Sequence, residues 1–533
     1  MTPRRALLAG AAVAAVLAAC GPREGAPETI VVATAVDMRG VNELTAGASF
    51  FHTALHYYAL FLTLLDEQPD YESGPPSLTP RLASSYELSG DRRVLTFKLR
   101  RDVVWSDGVP VTAEDVRWTW QAQTHPEVAW HLAGAKRHVR DVEVVDPFTV
   151  RFHFDRAYGT QLLDANLGVI LPRHTWSRLP FSAWRRDGGW FLDHLVVAGP
   201  FTVESWEPDR RLVLRRNERY FQPHLPRAER IVFRVTPDRQ SQLALLRTGA
   251  AHVIDAARPA ELRQLGENPD VVLASYLPRG SYALVWNLAR PLFASREVRL
   301  ALTLAIDRQA IVDALLFGDA RLTESPFPSD LWACNRSLRP RPYDPGSARE
   351  LLAAEGWSDS DGDGVLDRGG ERFSFEILTE AGSELRRDVV VMVQHQLARL
   401  GVEALPRPLE FNTLLDRERR HDFAATLSSL GIGTDLDLSY YFHSRSIDEG
   451  YNLGAYADPE VDRLLDEIKA QVDQLAAKPL YDRLQTLLYD DVPLTFLYEP
   501  WRRIPVRREL ADVSPNALSP YFGLERWRLR PGP

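Results

Sequence analysis

The sequence predicts an α/β protein, and three observations predict it. Short apolar or alternating runs of strand character recur from residue 29 to residue 498. Between them lie stretches with helical spacing, opened by Asp, Ser or Thr and often closed by Gly. The two kinds of segment alternate along the chain rather than segregating, which is the pattern of sheets covered by helices. At 533 residues the chain exceeds what one core supports, so several domain-sized units are expected.

The elements follow in order. Residues 1–19 place Arg4 and Arg5 before an apolar run from Ala6 to Ala19, a signal peptide too short to span a membrane comfortably. The run closes on Leu17-Ala18-Ala19-Cys20, which resembles the bacterial lipoprotein cleavage box. That resemblance implies a lipid-bearing Cys20, with two or three acyl chains giving stable anchoring. Residues 20–28 are Pro, Gly and charge, a tether. Cys334 is then left unpaired, a small buried hydrophobe. Residues 29–35 read as a buried strand and 50–65 as a helix ending before Pro69. Leu95, Phe97 and Leu99 alternate with Thr96, Lys98 and Arg100, a half-buried strand. Ser106-Asp107-Gly108 turns the chain. Thr112 then caps a helix, with Asp115 three residues on. Residues 148–155 alternate again, and 195–220 read as strand, turn, strand. Asp238, Ser295 and Asp307 each open a helix, and Asp344-Pro345 and Asp458-Pro459 combine a cap with Pro at the first helical position. Phe373, Phe375 and Ile377 mark a strand, and Leu385, Val389, Val393, Leu397 and Leu400 stripe the helix after it. Residues 480–489 are helical and 494–498 a strand.

Charge narrows the function. The chain carries −9 in full, and removing Arg4 and Arg5 with the leader leaves −11. A phosphate backbone wants a basic face, so nucleic acid is excluded as a partner. No G-x-S-x-G, P-loop or C-x-x-C is present. A secreted hydrolase with a convergent triad stays as the rival class, since such triads are not readable from sequence. His52 and His56 have the i, i+4 spacing of two metal ligands, but no Glu completes H-E-x-x-H. They are expected to be surface or lightly packed histidines. Asp359, Asp361 and Asp363 match the first half of a calcium loop, but the twelfth position is Gly370 rather than the bidentate Glu. A polar turn is expected there, and no metal or cofactor is assigned.

Trp105-Ser106-Asp107-Gly108, Pro110 and Thr112-Ala113-Glu114-Asp115-Val116 together resemble the signature segment of the family-5 solute-binding proteins, the peptide receptors of ABC importers. Residues 197–203, 214–221 and 298–308 resemble the family again, as do segments near 344, 373, 452 and 481. The resemblance implies two lobes with the ligand enclosed at a hinge. One lobe takes 29–60, 190–285 and 495–533, with a subdomain inserted at 61–189. The other takes 286–494. It also implies a peptide or other small solute as ligand, ABC permease subunits as partners, and a monomer outside the cytoplasm, anchored through Cys20. Nickel chelates, haem and glycosides are the alternative ligands within the family, and a receptor feeding a sensor is the alternative role.

Site residues come from the same resemblance. In peptide-binding relatives an Asp holds the ligand's α-ammonium at the place of 434–442 in this chain, Thr-Asp-Leu-Asp-Leu-Ser-Tyr-Tyr-Phe. By position that role falls to Asp435, with Asp437 second, and Tyr440, Tyr441 and Phe442 offer rings to stack on a ligand. Trp286 and Asn287, near the expected lobe crossover, are candidates to line the pocket, with the core as the other place for Trp286. The dipeptide-binding branch takes the ligand carboxylate with an Arg after the strand at 373–378. This chain has Thr379-Glu380-Ala381-Gly382 there, with Arg386 and Arg387 further on. Longer peptides or non-peptide solutes fit that departure better.

Overall fold

Two sheets carry the molecule, each assembled from strands far apart in sequence. The computed structural model describes residues 28–45, 50–255 and 257–531. The leader, Cys20 and the tether up to residue 27 lie outside the described residues.

The β-branched run Thr29–Thr34 pairs parallel with Arg230–Val235 and with Val253–Ile254. It sits inside a seven-stranded sheet ordered Val271–Tyr276, Arg502–Arg507, Val253–Ile254, Thr29–Thr34, Arg230–Val235, Arg211–Arg216 and Phe201–Glu207. Strands covered on both faces read as continuous apolar runs, which is why 29–35 does not alternate. Ala83–Leu88, Val94–Leu99, Thr149–Phe154 and Val139–Asp146 form a separate antiparallel sheet in that order. Its alternating residues Leu95, Phe97 and Leu99 are buried. One continuous core joins this sheet to the seven-stranded one through Phe61, Trp105, Trp176, Phe201 and Phe233.

The second lobe is built on a six-stranded sheet ordered Ala320–Arg321, Leu494–Pro500, Gly280–Trp286, Ala425–Gly431, Ser374–Glu380 and Glu403–Leu409. Its cores lie around Trp286 and Phe375 on one side and around Phe327 and Tyr481 on the other, the second also taking in Tyr71 of the inserted subdomain.

The chain passes between the sheets twice in this region, at 277–279 and at Trp501. The expected breaks at 285/286 and 494/495 are corrected accordingly. Gly280–Trp286 pairs along its length with Ala425–Gly431, and Leu494–Pro500 pairs with Gly280–Trp286. A break inside either strand would split a ladder.

The caps are as expected. Asp238, Ser295, Asp307, Asp344 and Asp458 each accept a backbone N–H from the first turn of the helix that follows. The helix expected at 50–65 is shorter. Phe50–Leu55 continues as a wider turn through His56–Leu60, and Leu65–Glu67 is already a strand. Gly199 explains the close approach there: its Cα lies so near the Leu60 backbone that a Cβ would meet the Leu60 carbonyl carbon at 2.5 Å.

Candidate ligand cavity between the lobes

Strand Ala425–Gly431 ends at the cleft, and the chain then makes a tight loop. Leu436 holds a left-handed backbone at φ 55°. Leu436 and Leu438 are buried in the second-lobe core, while Asp435 and Asp437 stand on the wall of a cavity of about 620 Å³. The volume falls in the range of small-molecule sites. A side chain on Gly433 would meet Asp435 Oδ1 at 2.6 Å, so the loop closes over a position with room only for hydrogen.

The two aspartates differ. Asp437 Oδ2 accepts from Lys469 Nζ at 2.5 Å, and Oδ1 accepts the Ser439 N–H at 2.9 Å. Burial pushes its carboxyl up, but Lys469 and these bonds outweigh it and hold the group below the usual range. Asp435 accepts only a long bond from the Asp437 N–H, at 3.4 Å. Among the described residues no cation lies within ion-pair distance of it. Its carboxylate is exposed to the cavity yet enclosed by the surrounding protein, and that burial, together with the Asp437 charge, raises its pKa.

The first lobe supplies the facing wall. Asp66 pairs with buried Arg81 at 2.6 Å. Glu67 lies 3.6 Å from Arg279, the last residue of the first crossover, whose guanidinium also stacks over Tyr71. Burial pushes Glu67 up to about 7, with Asp435 adding to the rise against the pull of Arg279. Burial likewise takes Asp164 up to about 6. Behind it, buried Lys136 donates to the carbonyls of Asp164, Ala165 and Leu167 at the end of helix Gln161–Asn166. Arg137 lines the cavity with no carboxylate within 4 Å among the described residues. Nothing in the sequence marks Glu67, Asp164, Arg137, Arg279 or Lys469, because residues far apart in the chain come to one cavity only on folding.

Other expectations are corrected. Trp286 is fully buried, donates to Thr495 Oγ1 at 3.1 Å and packs on Phe293 and Phe375. Asn287 is spent on the His421 and Phe423 carbonyls and the Ala289 N–H. Neither lines the cavity: Trp286 is taken up by the core and Asn287 by the backbone beyond the strand's end. Tyr440 stacks on Tyr451, Tyr441 bonds Gly431 and Phe442 is core, so the aromatic cavity wall is Tyr57, Tyr58 and Tyr481 instead. Arg386 pairs with Glu380 under Tyr282, away from the cavity. His52 and His56 are fully buried, not superficial, with ring centroids 4.0 Å apart. The single group of three or more close ligand-type side chains among the described residues is exposed Asp359, Asp361 and Asp363. There Asp359 accepts the Gly362 and Gly364 N–H groups, Asp363 pairs with Arg372, and Gly370 turns a hairpin at φ 83°. Cys334 is buried and unpaired.

Known proteins share this fold. The oligopeptide-binding protein AppA of Bacillus subtilis is 28% identical over 483 residues, covering 88% of this chain and 86% of that protein. The solved structure of AppA with a nonapeptide superposes with a TM-score of 0.77 at 24% identity, over 95% of this chain and 100% of that one. NikZ of Campylobacter jejuni, solved with Ni(L-His), gives a TM-score of 0.78 at 22% identity, over 94% and 99%. These likenesses show the two-lobed periplasmic-binding-protein fold. A family model described as bacterial extracellular solute-binding proteins, family 5 middle, matches residues 77–452. That match, spanning the signature segment, the inserted subdomain and most of the second lobe, decides for binding over hydrolysis: the chain belongs to the family-5 bacterial extracellular solute-binding proteins.

Proposed function

We propose that the protein is a peptide receptor that acts as a monomer, closes its lobes on the ligand and hands it to an ABC importer. We take it to be held outside the cytoplasmic membrane by lipid on Cys20. The observation that carries the ligand reading is Asp435, a carboxylate without an ion pair on the wall of an interlobe cavity. A ligand ammonium supplies the missing partner through a charge-assisted bond. Arg137, on the facing lobe, is available to a ligand carboxylate. A ligand that touches both lobes gains those contacts only in the closed state, and this difference drives closure. The oligopeptide-binding relative supports the peptide class.

Mass spectrometry of solutes that co-purify with the protein tests the class. Peptides are expected, and a nickel chelate, haem or glycoside in their place would replace the peptide reading with another ligand of the same family. The peptide found is then made with a free and with an acetylated N-terminus, and each is titrated into wild type and Asp435→Asn. Removing one partner of an enclosed ion pair costs on the order of 3–5 kcal/mol. At about 1.4 kcal/mol per decade this is roughly a hundredfold or more. Mutation and acetylation break the same contact, so together they should weaken binding little more than either alone. Additive losses, or none, would remove Asp435 from the ligand site.

A further inference from the structure

Gly159 precedes helix Gln161–Asn166 on the inserted subdomain. Its backbone is not in the left-handed region, so its own conformation does not require glycine. The requirement comes from across the cleft. A Cβ at 159 would lie 2.7 Å from the Gln471 backbone oxygen and 3.0 Å from Gln474 Cγ, both on the second lobe. The Gln471 oxygen is backbone rather than the far end of a flexible side chain. Gln471 is the C-cap of helix Pro459–Ala470, with its N–H held by the Glu467 and Ile468 carbonyls.

Arg92 meets the same turn from the same subdomain. It occupies the hairpin between Ala83–Leu88 and Val94–Leu99 with a left-handed backbone at φ 57°, and its guanidinium donates to the Val472 carbonyl at 3.4 Å. Its own carbonyl accepts from Gln161 Nε2 at 2.7 Å, which ties the hairpin to the Gly159 segment. On the facing side, the same helix end carries Lys469, whose ammonium holds Asp437. Gly159, Gln471 and Gln474 all line the cavity.

We infer that Gly159 and the 471–474 turn form the latch on which the lobes close, and that the bare Cα at 159 is what lets the cavity seal. Arg92 is its polar half. Closure seats the inserted subdomain against the end of the helix that bears Lys469, one ion pair from the Asp435 loop. A side chain at 159 is therefore a penalty on the closed state alone. It leaves the open state and the fold of each lobe untouched, and it lowers affinity by the fraction of closed, binding-competent protein it removes.

The inference rests on the receptor reading, and the experiment separates the two. A tryptic digest of casein is the probe. Peptides retained by wild type are identified by mass spectrometry, and the most strongly retained one is synthesised and titrated by calorimetry. Gly159→Ala should lose on the order of 10- to 100-fold in affinity, the range that overpacking gives. Arg92→Ala should lose about 3-fold, as for one solvent-accessible hydrogen bond. Gly188→Ala on the same subdomain is the control, because a Cβ there meets nothing within 4 Å, and it should bind like wild type. The ligand-stripped variants should melt with wild type. Wild type retaining no peptide would overturn the peptide reading and the latch with it. Equal binding by wild type and Gly159→Ala would overturn the latch and leave the receptor standing. A lowered melting point of ligand-stripped Gly159→Ala would make the contact a structural one and overturn the latch as well.

Discussion

At the scale of single residues, environment separates groups that look equivalent on paper. Asp435 and Asp437 are neighbours of the same type, yet Asp437 is held by Lys469 while Asp435 has no ion pair among the described residues. The His52–His56 pair is a second case. Burial pushes His52 down to about 2, with the His56 and Arg39 charges adding, and pushes His56 down to about 4. In the unfolded chain both titrate near 6.5. The unfolded state therefore binds more protons below pH 6.5, and stability is lost as pH falls from there toward 4, by up to about 1.4 kcal/mol per pH unit for each histidine. Glu43, pushed up to about 7 by burial, acts in the opposite sense between its unfolded value and 7. The difference between proteins isolates the histidines. Urea unfolding at pH 7 and pH 5 should show wild type losing more stability than His52→Asn/His56→Asn. Parallel losses would place the pH dependence elsewhere.

Elements carry the next lesson, and the signature segment teaches it. Its residues are conspicuous in sequence, but their work is to fasten the inserted subdomain. The Ser106 N–H donates to the Val197 carbonyl at 2.7 Å, and the Val197 N–H donates back to Ser106 Oγ at 3.1 Å. Gly108 turns the chain at φ 93°, and Trp105 is fully buried. Asp115 was legible as a helix-capping residue of Ala113–Thr124, and its Oδ2 does accept the Thr112 N–H at 2.8 Å. What local sequence does not carry is its second bond, Oδ1 accepting the Arg173 N–H at 3.0 Å, 58 residues away. Asp115→Ala would strand two N–H groups in a buried place, each costing about 1–3 kcal/mol. A drop of at least about 2 kcal/mol in urea unfolding is expected, with little change in slope. A loss near zero would mean that water replaces the carboxylate.

For the whole molecule, the inserted subdomain and the first lobe share one core and are expected to move as one body, while the second lobe is built on two others, one of which Tyr71 of the subdomain joins. The joints are short: Leu277, Pro278 and Arg279 on one strand, Trp501 on the other. Attachment to the membrane belongs to this scale too. Among the described residues no helix is long and apolar enough to cross a membrane. The proposed anchor is the lipid on Cys20, on the ground of the Leu17-Ala18-Ala19-Cys20 box. Cys20→Ser should appear in the soluble fraction when cells are fractionated, whereas the parent stays with membranes. A variant that sediments with membranes like the parent would remove Cys20 from that role.

The sequence by itself determined the α/β class, the alternating strands, the helix caps and the family. These rest on contacts within a few residues or on spacings of two and 3.6, which a linear text preserves. It also put Asp435 and Asp437 in one loop, because that place is marked by neighbouring residues. The tertiary structure decided the rest. Whether Trp286 faced ligand or core depended on which strands flank it, and Thr495 and Phe375 answer that from far along the chain. Which aspartate stayed unpaired depended on Lys469, 32 residues beyond Asp437. The cavity needs Glu67, Asp164 and Arg279 from one side and Asp435 from the other. Gly159 reads as an ordinary loop glycine until the second lobe comes within 2.7 Å of its absent side chain. Such contacts exist only between surfaces that folding brings together, and no periodicity records them.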